Sequence, residues 1–185
     1  MSTWTLSTEE LHRARERCEA RTRESPDDAQ AWSALAGVYT LLGQRLDAVR
    51  AWGEASRRSR AAEVHVQYAQ AAAVVERWPD VLEALERLDP QAVSDASLAW
   101  STSAVATLAA RATDSPVARA RAVALRRRHV ALRPHDVAAQ ADLGVMLLDL
   151  GDARAACAAF AQVAAMDPSY FEDNEAERVA YARAR

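Results

Sequence analysis

The groups in this sequence best suited to chemistry are four histidines, His12, His65, His129 and His135, two cysteines, Cys18 and Cys157, and the adjacent carboxylates Glu9-Glu10 and Asp27-Asp28. A metal centre needs three or four such ligands converging on one point, which on a helix means spacings of three or four residues. No histidine here is paired with a Cys, Asp or Glu in a ligand spacing that recurs, and neither cysteine has a second ligand nearby. His129 falls on the stripe Ala118, Ala122, Leu125, His129, Leu132 and reads as a partly buried structural histidine, whereas His12 and His135 read as exposed. The sequence has no Gly-rich phosphate loop, no Gly-x-Ser-x-Gly and no His-Glu-x-x-His. The carboxylate pairs stand at expected helix starts, where negative charge complements the helix dipole. The expectation is a chain without catalytic residues, cofactor, metal or disulfide, its cysteines serving as small buried side chains.

The composition points the same way. Half of the 185 residues are apolar and 26% are charged, with only 5 Gly and 6 Pro. That balance suits a globular, predominantly helical chain. Lys and Ile are absent, so Arg carries every fixed cation, a bias expected of a GC-rich bacterial coding sequence. A net charge of −3 argues against a general nucleic-acid or anionic-membrane binder. No segment approaches the roughly 20 apolar residues of a membrane span. The N-terminal residues show no basic region followed by an apolar run, and cytoplasm is the expected compartment.

Helical periodicity and breakers set out the elements. Ser7 with Glu10 forms a capping box for a helix running to about Arg23, with Leu6 placed to staple against Leu11. Trp32, Leu35, Ala36 and Tyr39 make one apolar stripe, and Gly43 and Gly151 close two helices at a left-handed position. Further helices are expected near Ala61–Arg77, from Val81 to Leu88 after a Trp78-Pro79-Asp80 corner, near Ser94–Ala112, and from Val117 to Leu132 after the break Thr113-Asp114-Ser115-Pro116. A last polar helix from about Asp173 would contact the rest through Ala176, Val179 and Ala180.

Two stretches carry the same marks. Trp32-x2-Leu35-Ala36-x2-Tyr39, Gly43 and Ala48-x3-Trp52 return as Gln140-x2-Leu143-Gly144-x2-Leu147, Gly151 and Ala156-x3-Phe160, displaced throughout by the 108 positions between Gly43 and Gly151, as are Pro26 and Pro134. The pattern resembles the tetratricopeptide repeat, a helix–turn–helix of about 34 residues. The resemblance implies an all-α, right-handed superhelical stack of about four helix hairpins in a single domain. Its parts would be an N-terminal cap helix over 7–25, repeats over 29–62, 63–90 (divergent), 91–136 (divergent and long) and 137–170, and a C-terminal cap helix over 171–185. Small residues at Ala36 and Gly144 would let the two helices of a hairpin approach closely.

In such proteins the first helices of successive repeats line a concave groove that takes a peptide or helix of a partner. Carried over by alignment, the groove would include Gln30, Ser33, Gly37, Thr40 and Leu41, then Gln67, Gln70, Ala71 and Val74, then Ala138, Ala141, Val145, Leu148 and Asp149. The chain has no Lys, and Ser33 and Gly37 stand where a carboxylate clamp would need cationic and amide groups. Trp100 has the small neighbours Ser97, Ser101, Ser103, Ala104 and Thr107, and reads either as core or as a groove face that something approaches closely. Arg119, Arg126 and Arg133 share a heptad face which, with Arg127, gives a basic patch on the convex side. The expected function is a non-catalytic adaptor or scaffold. The alternative is a structural subunit of a larger bacterial assembly, associating through the arginine face or the capping helices.

Overall fold

The computed structural model describes residues 7–185, so the Leu6 half of the expected staple lies outside the described residues. The described chain is all-α. Its contacts gather into two compact units that meet in sequence between Leu88 and Asp89.

The first unit holds α1 (Thr8–Glu24), α2 (Ala29–Leu41), α3 (Arg45–Arg58), α4 (Ala62–Val74) and α5 (Trp78–Arg87). The Ser7–Glu10 capping box opens α1, each side chain meeting the other's backbone N–H. Antiparallel packing of α2 on α3 and of α4 on α5 makes two hairpins, joined through α3 and α4, with α1 laid on α2. Leu35, Ala36 and Ala51 form the core of the first hairpin, and Cys18, Trp32, Tyr39 and Trp52 pack around it. Trp32 is half-buried and not sealed in: its indole N–H donates to the Pro26 carbonyl at 2.8 Å, and the Arg58 guanidinium lies 5.5 Å from its ring centroid. A side chain on Gly53 of α3 would crowd the Tyr68 ring of α4 at 3.2 Å, which explains a glycine inside a helix.

The second unit begins with a short 3-10 turn (Pro90–Ala92) and continues through α6 (Ala96–Thr113), α7 (Pro116–Leu132), α8 (Val137–Asp149), α9 (Ala153–Met166), α10 (Tyr170–Asp173) and α11 (Glu175–Ala184). It too contains two hairpins, α6 on α7 and α8 on α9, with α7 packed on α8. Asp95, Ser115, Asp136 and Asp152 cap α6 to α9 by accepting from backbone N–H groups of the first turn. The end of the unit is an aromatic cluster, since Phe160 of α9 meets Phe171 at 6.2 Å and Tyr181 at 5.6 Å between ring centroids. Those two rings and Ala184 attach the last helices. Of the expected contact residues, Ala176 and Val179 are exposed.

One turn differs from the sequence reading. Trp78-Pro79-Asp80 is not a corner before a helix but the first turn of α5 itself, where the missing Pro N–H costs nothing. The corner lies just before, at Glu76, whose φ is +56°. All four hairpin turns carry one residue in the left-handed region, namely Gly43, Glu76, Asp114 and Gly151. At three of them the next residue donates back five positions: Gln44 to Tyr39, Arg77 to Ala72 and Asp152 to Leu147, at 2.9–3.0 Å. This repeated bond closes the first helix of the hairpin and turns the chain into the second.

Candidate partner-docking faces

Each first helix buries one stripe in its hairpin and leaves another uncovered. In the first unit the uncovered stripes belong to α2 and α4. Thr40 of α2 with Ala71 and Val74 of α4 surrounds a hollow of about 240 Å³ beside Gly43, Arg45 and Ala48. Leu41 and Val74 are large apolar side chains left mostly in water. A methyl group on Gly37 would meet nothing within 4 Å, so this glycine marks open surface. Gln30 is exposed, while Ser33, Gln67 and Gln70 are half-covered. The hydroxyls of Ser33 and Thr40 donate to the carbonyls of Ala29 and Ala36, so they offer a partner an acceptor more readily than a donor.

In the second unit the corresponding face lies between α6 and α8. Trp100, 46% exposed, and Leu108, 52% exposed, stand on α6. They border a hollow of about 340 Å³ with Ala104, Thr107, Val145, Met146 and Asp149. An adjoining hollow of about 290 Å³ is lined by Ser97, Trp100, Ala138, Asp136 and Asp142, among others. Trp100 and Asp142 belong to both. The Trp100 indole N–H donates to the Asp142 carboxylate at 3.1 Å, and Arg126 reaches the same oxygen at 3.3 Å with its guanidinium 5.5 Å from the Trp100 ring centroid. Burial pulls the Arg126 guanidinium below its ordinary pKa, and Asp142 partly offsets this. Across the face Arg111 pairs with Asp149 at 2.9 Å. At the edge, the Ala139 N–H and Arg133 hold the Asp136 carboxylate below the usual carboxylate range.

Two sequence expectations change here. Ala141 is 1% exposed and faces the hairpin core, so it is closed to a partner. The outward stripe of α8 is Ala138, Asp142, Val145 and Asp149, one position on from Ala141. A step of one residue turns a helix by about 100°, which is the difference between core and surface. Leu148 is half-buried beside that stripe. Arg126 is 7% exposed and forms no part of an exposed basic patch. The heptad that links Arg119, Arg126 and Arg133 is real as geometry, but α8 packs along it. The middle arginine is buried against Asp142, Arg133 borders the Trp100 hollow, and Arg119 joins Arg127 at a separate one. Asp142 and Leu108 were missed. The period of Ala138, Val145 and Asp149 along α8 was the signal that could have found Asp142.

No protein-family model matches the chain, and no curated protein matches it. Solved structures do. The tetratricopeptide-repeat protein YrrB, described as having an unusual peptide-binding site, superposes with a TM-score of 0.59 over 92% of this chain and 84% of its own, at 19% identity. MamA superposes with a TM-score of 0.57 over 90% of this chain and 87% of its own, at 14% identity. A MamA fragment from Desulfovibrio magneticus RS-1 gives 0.54 over 87% and 88%, at 17% identity. The chain has the tetratricopeptide-repeat fold. In tetratricopeptide-repeat terms α2, α4, α6 and α8 are the first helices of their hairpins, and the two faces described above are first-helix faces. No helix among the described residues is long and apolar enough to cross a membrane. No group of three or more His, Cys, Asp or Glu among them could hold a metal ion.

Proposed function

We propose that this chain is a non-catalytic adaptor that docks a peptide or helical segment of a partner protein on its first-helix faces. One array of repeats over 29–62, 63–90, 91–136 and 137–170, with caps over 7–25 and 171–185, forms part of the same proposal. The observation that carries it is the placement of exposed apolar bulk. Of the eight large apolar side chains left exposed among the described residues, Val74, Trp100 and Leu108 line the first-helix hollows and Leu41 stands on α2, whereas Leu46, Val117, Met166 and Val179 are spread one to a helix over α3, α7, α9 and α11. In a monomeric soluble protein, apolar side chains gathered at a concavity with a polar rim are a mark of a binding surface. The α6–α8 face also has a fixed polar centre, Trp100–Asp142–Arg126, which could orient what binds. The likeness to YrrB, whose description names a peptide-binding site, supports the reading. Adaptor function in the cytoplasm is consistent with it.

The test is site-specific crosslinking. A photoreactive residue at Thr107 on the α6–α8 face, or at Val74 on the α2–α4 face, should capture a protein from lysate of the source organism, whereas one at exposed Arg178 should not. Val145→Arg and Thr40→Arg should weaken capture at the respective faces with helicity unchanged. Equal capture from all three positions, or capture indifferent to both substitutions, would sink the proposal.

A further inference from the structure

The second unit has a further concavity that the first-helix faces do not include. Helices α7, α8 and α9 enclose two adjoining hollows of about 420 and 330 Å³, with Arg127 and Leu147 in the wall of both. Val123, Val130, Leu143, Leu147 and Leu150 line them, and Ala155, Ala158 and Ala159 keep the α9 side low. The hollows follow α7 from Pro116 to Val130, which is about 21 Å at the helical rise.

The charges along this groove are unequal. Arg127 is exposed and has no ion pair among the described residues. Arg119 is paired only with Asp114, whose side chain is 92% exposed, so water screens that pair and it is easily exchanged. The one acid in the lining, Asp152, is committed to the N-terminus of α9, where it accepts from the Ala155 N–H at 3.0 Å. The amides of Gln140 and Gln162 bond to each other at 2.6 Å. The groove therefore offers an apolar floor edged by one unpaired guanidinium, Arg127, and a second, Arg119, held only by a solvent-screened pair, against the single carboxylate of Asp152.

Along most of its length its walls are the sides of helices, whose N–H and C=O groups are paired within the helix, and only the end beside Pro116, Leu150 and Asp152 meets helix termini. A segment buried here must satisfy its own backbone, which favours a helix over an extended peptide. Arg119 and Arg127 are eight residues apart on α7, about 12 Å, the distance between carboxylates two turns apart on a facing helix. We propose that this groove docks an amphipathic helix of a protein partner that carries two carboxylates about two turns apart beside its apolar stripe. The site is distinct from the α6–α8 face and does not depend on it.

The test is a displayed library of amphipathic helices with a fixed leucine stripe and randomised flanking positions, selected against three forms of the chain: wild type, R119E/R127E and A158R. All three changes are at exposed positions, and circular dichroism checks that helicity is retained. Wild type should enrich Asp or Glu two turns apart. Those clones should lose about tenfold or more in affinity on R119E/R127E, and R119E/R127E should enrich Lys or Arg at the same positions. A158R, which places a long side chain in the groove, should abolish binding of both sets. Failure to select binders above a library with a scrambled stripe would overturn the proposal. So would clones without charge preference, or clones indifferent to both variants. Clones that ignore Arg119 and Arg127 but are lost on Val145→Arg would dock on the α6–α8 face. They would support the function proposed above and overturn this inference.

Discussion

A methyl group placed on Gly144 would stand 2.7 Å from Cε1 of Phe160, closer than side-chain carbons approach. Phe160 is completely buried, so its ring has no free direction in which to retreat. The pair sets how closely α8 and α9 lie, and it explains why a residue with poor helix propensity sits in the middle of α8. Gly144→Ala should therefore cost about 1–3 kcal/mol through overpacking, even though alanine gains about 1 kcal/mol in helix propensity. In a Phe160→Leu background the same change should become neutral or stabilising. Urea unfolding of the four proteins gives the coupling. Additive costs would show that Gly144 is small for another reason.

Glu76 occupies the place that Gly43 and Gly151 hold in their hairpins, with φ of +56° and the same five-residue backbone bond following it. An L-residue pays about 1–2 kcal/mol for the left-handed region, and glycine returns part of that as unfolded-state entropy. Glu76→Gly should therefore raise stability by about 0.5–1 kcal/mol, while Gly43→Ala should lower it by about 1–2 kcal/mol. The urea midpoint measures both. A Glu76→Gly protein less stable than wild type would mean that the Glu76 side chain makes a contribution larger than its backbone cost.

These two positions show what was legible in the sequence. Gly43 and Gly151 announce their turns because glycine is the residue that pays nothing there. Glu76 and Asp114 make the same turn at a cost, so only the distance between apolar stripes could have placed them. The cap at Ser7 and the stripe through Leu35 and Ala36 were legible because each follows from local spacing. The site was harder. A face is defined by rotation about a helix axis, and the shift from Asp142 to Ala141 reverses inside and outside. Arg126 reads as surface charge in sequence and becomes interior only because α8 packs over it, a tertiary fact with no local sign.

Arg126, Asp142 and Trp100 should respond unequally to substitution. Asp142→Asn leaves a guanidinium that is 7% exposed without its carboxylate. A buried cation stripped of its partner is costly, but Asp142 is itself half in water, so a loss of about 1–2 kcal/mol is expected. Arg126→Met keeps the volume beneath Trp100 and removes the charge that needs solvation. It should stay within about 1 kcal/mol of wild type. Denaturation followed by circular dichroism decides. If Arg126→Met is the more damaging change, the ion pair stabilises the unit beyond what packing alone supplies.

His65 gives the first unit a pH dependence. Its ring is buried, and Nδ1 shares a 2.8 Å hydrogen bond with the hydroxyl of buried Ser56. Burial, and secondarily the positive charge of Arg87, lowers its pKa from the ordinary 6.5. Because the folded value is the lower one, the unfolded chain binds the proton first as pH falls. The stability that neutral His65 contributes is complete above about pH 6.5 and is lost as pH falls toward the folded value, by up to about 1.4 kcal/mol per pH unit. The helix-cap carboxylates Asp28 and Asp136, held below their ordinary value of 3.8 by the N–H groups of Gln30 and Ala139, lose their contribution only in stronger acid. His65→Gln keeps a hydrogen-bonding group beside Ser56 and removes the titration. The stability of wild type relative to this variant should therefore fall between pH 7.5 and 5, and the shared carboxylates cancel in the difference. A difference that stays flat over that range would show that His65 is protonated in the folded protein as readily as in the unfolded one.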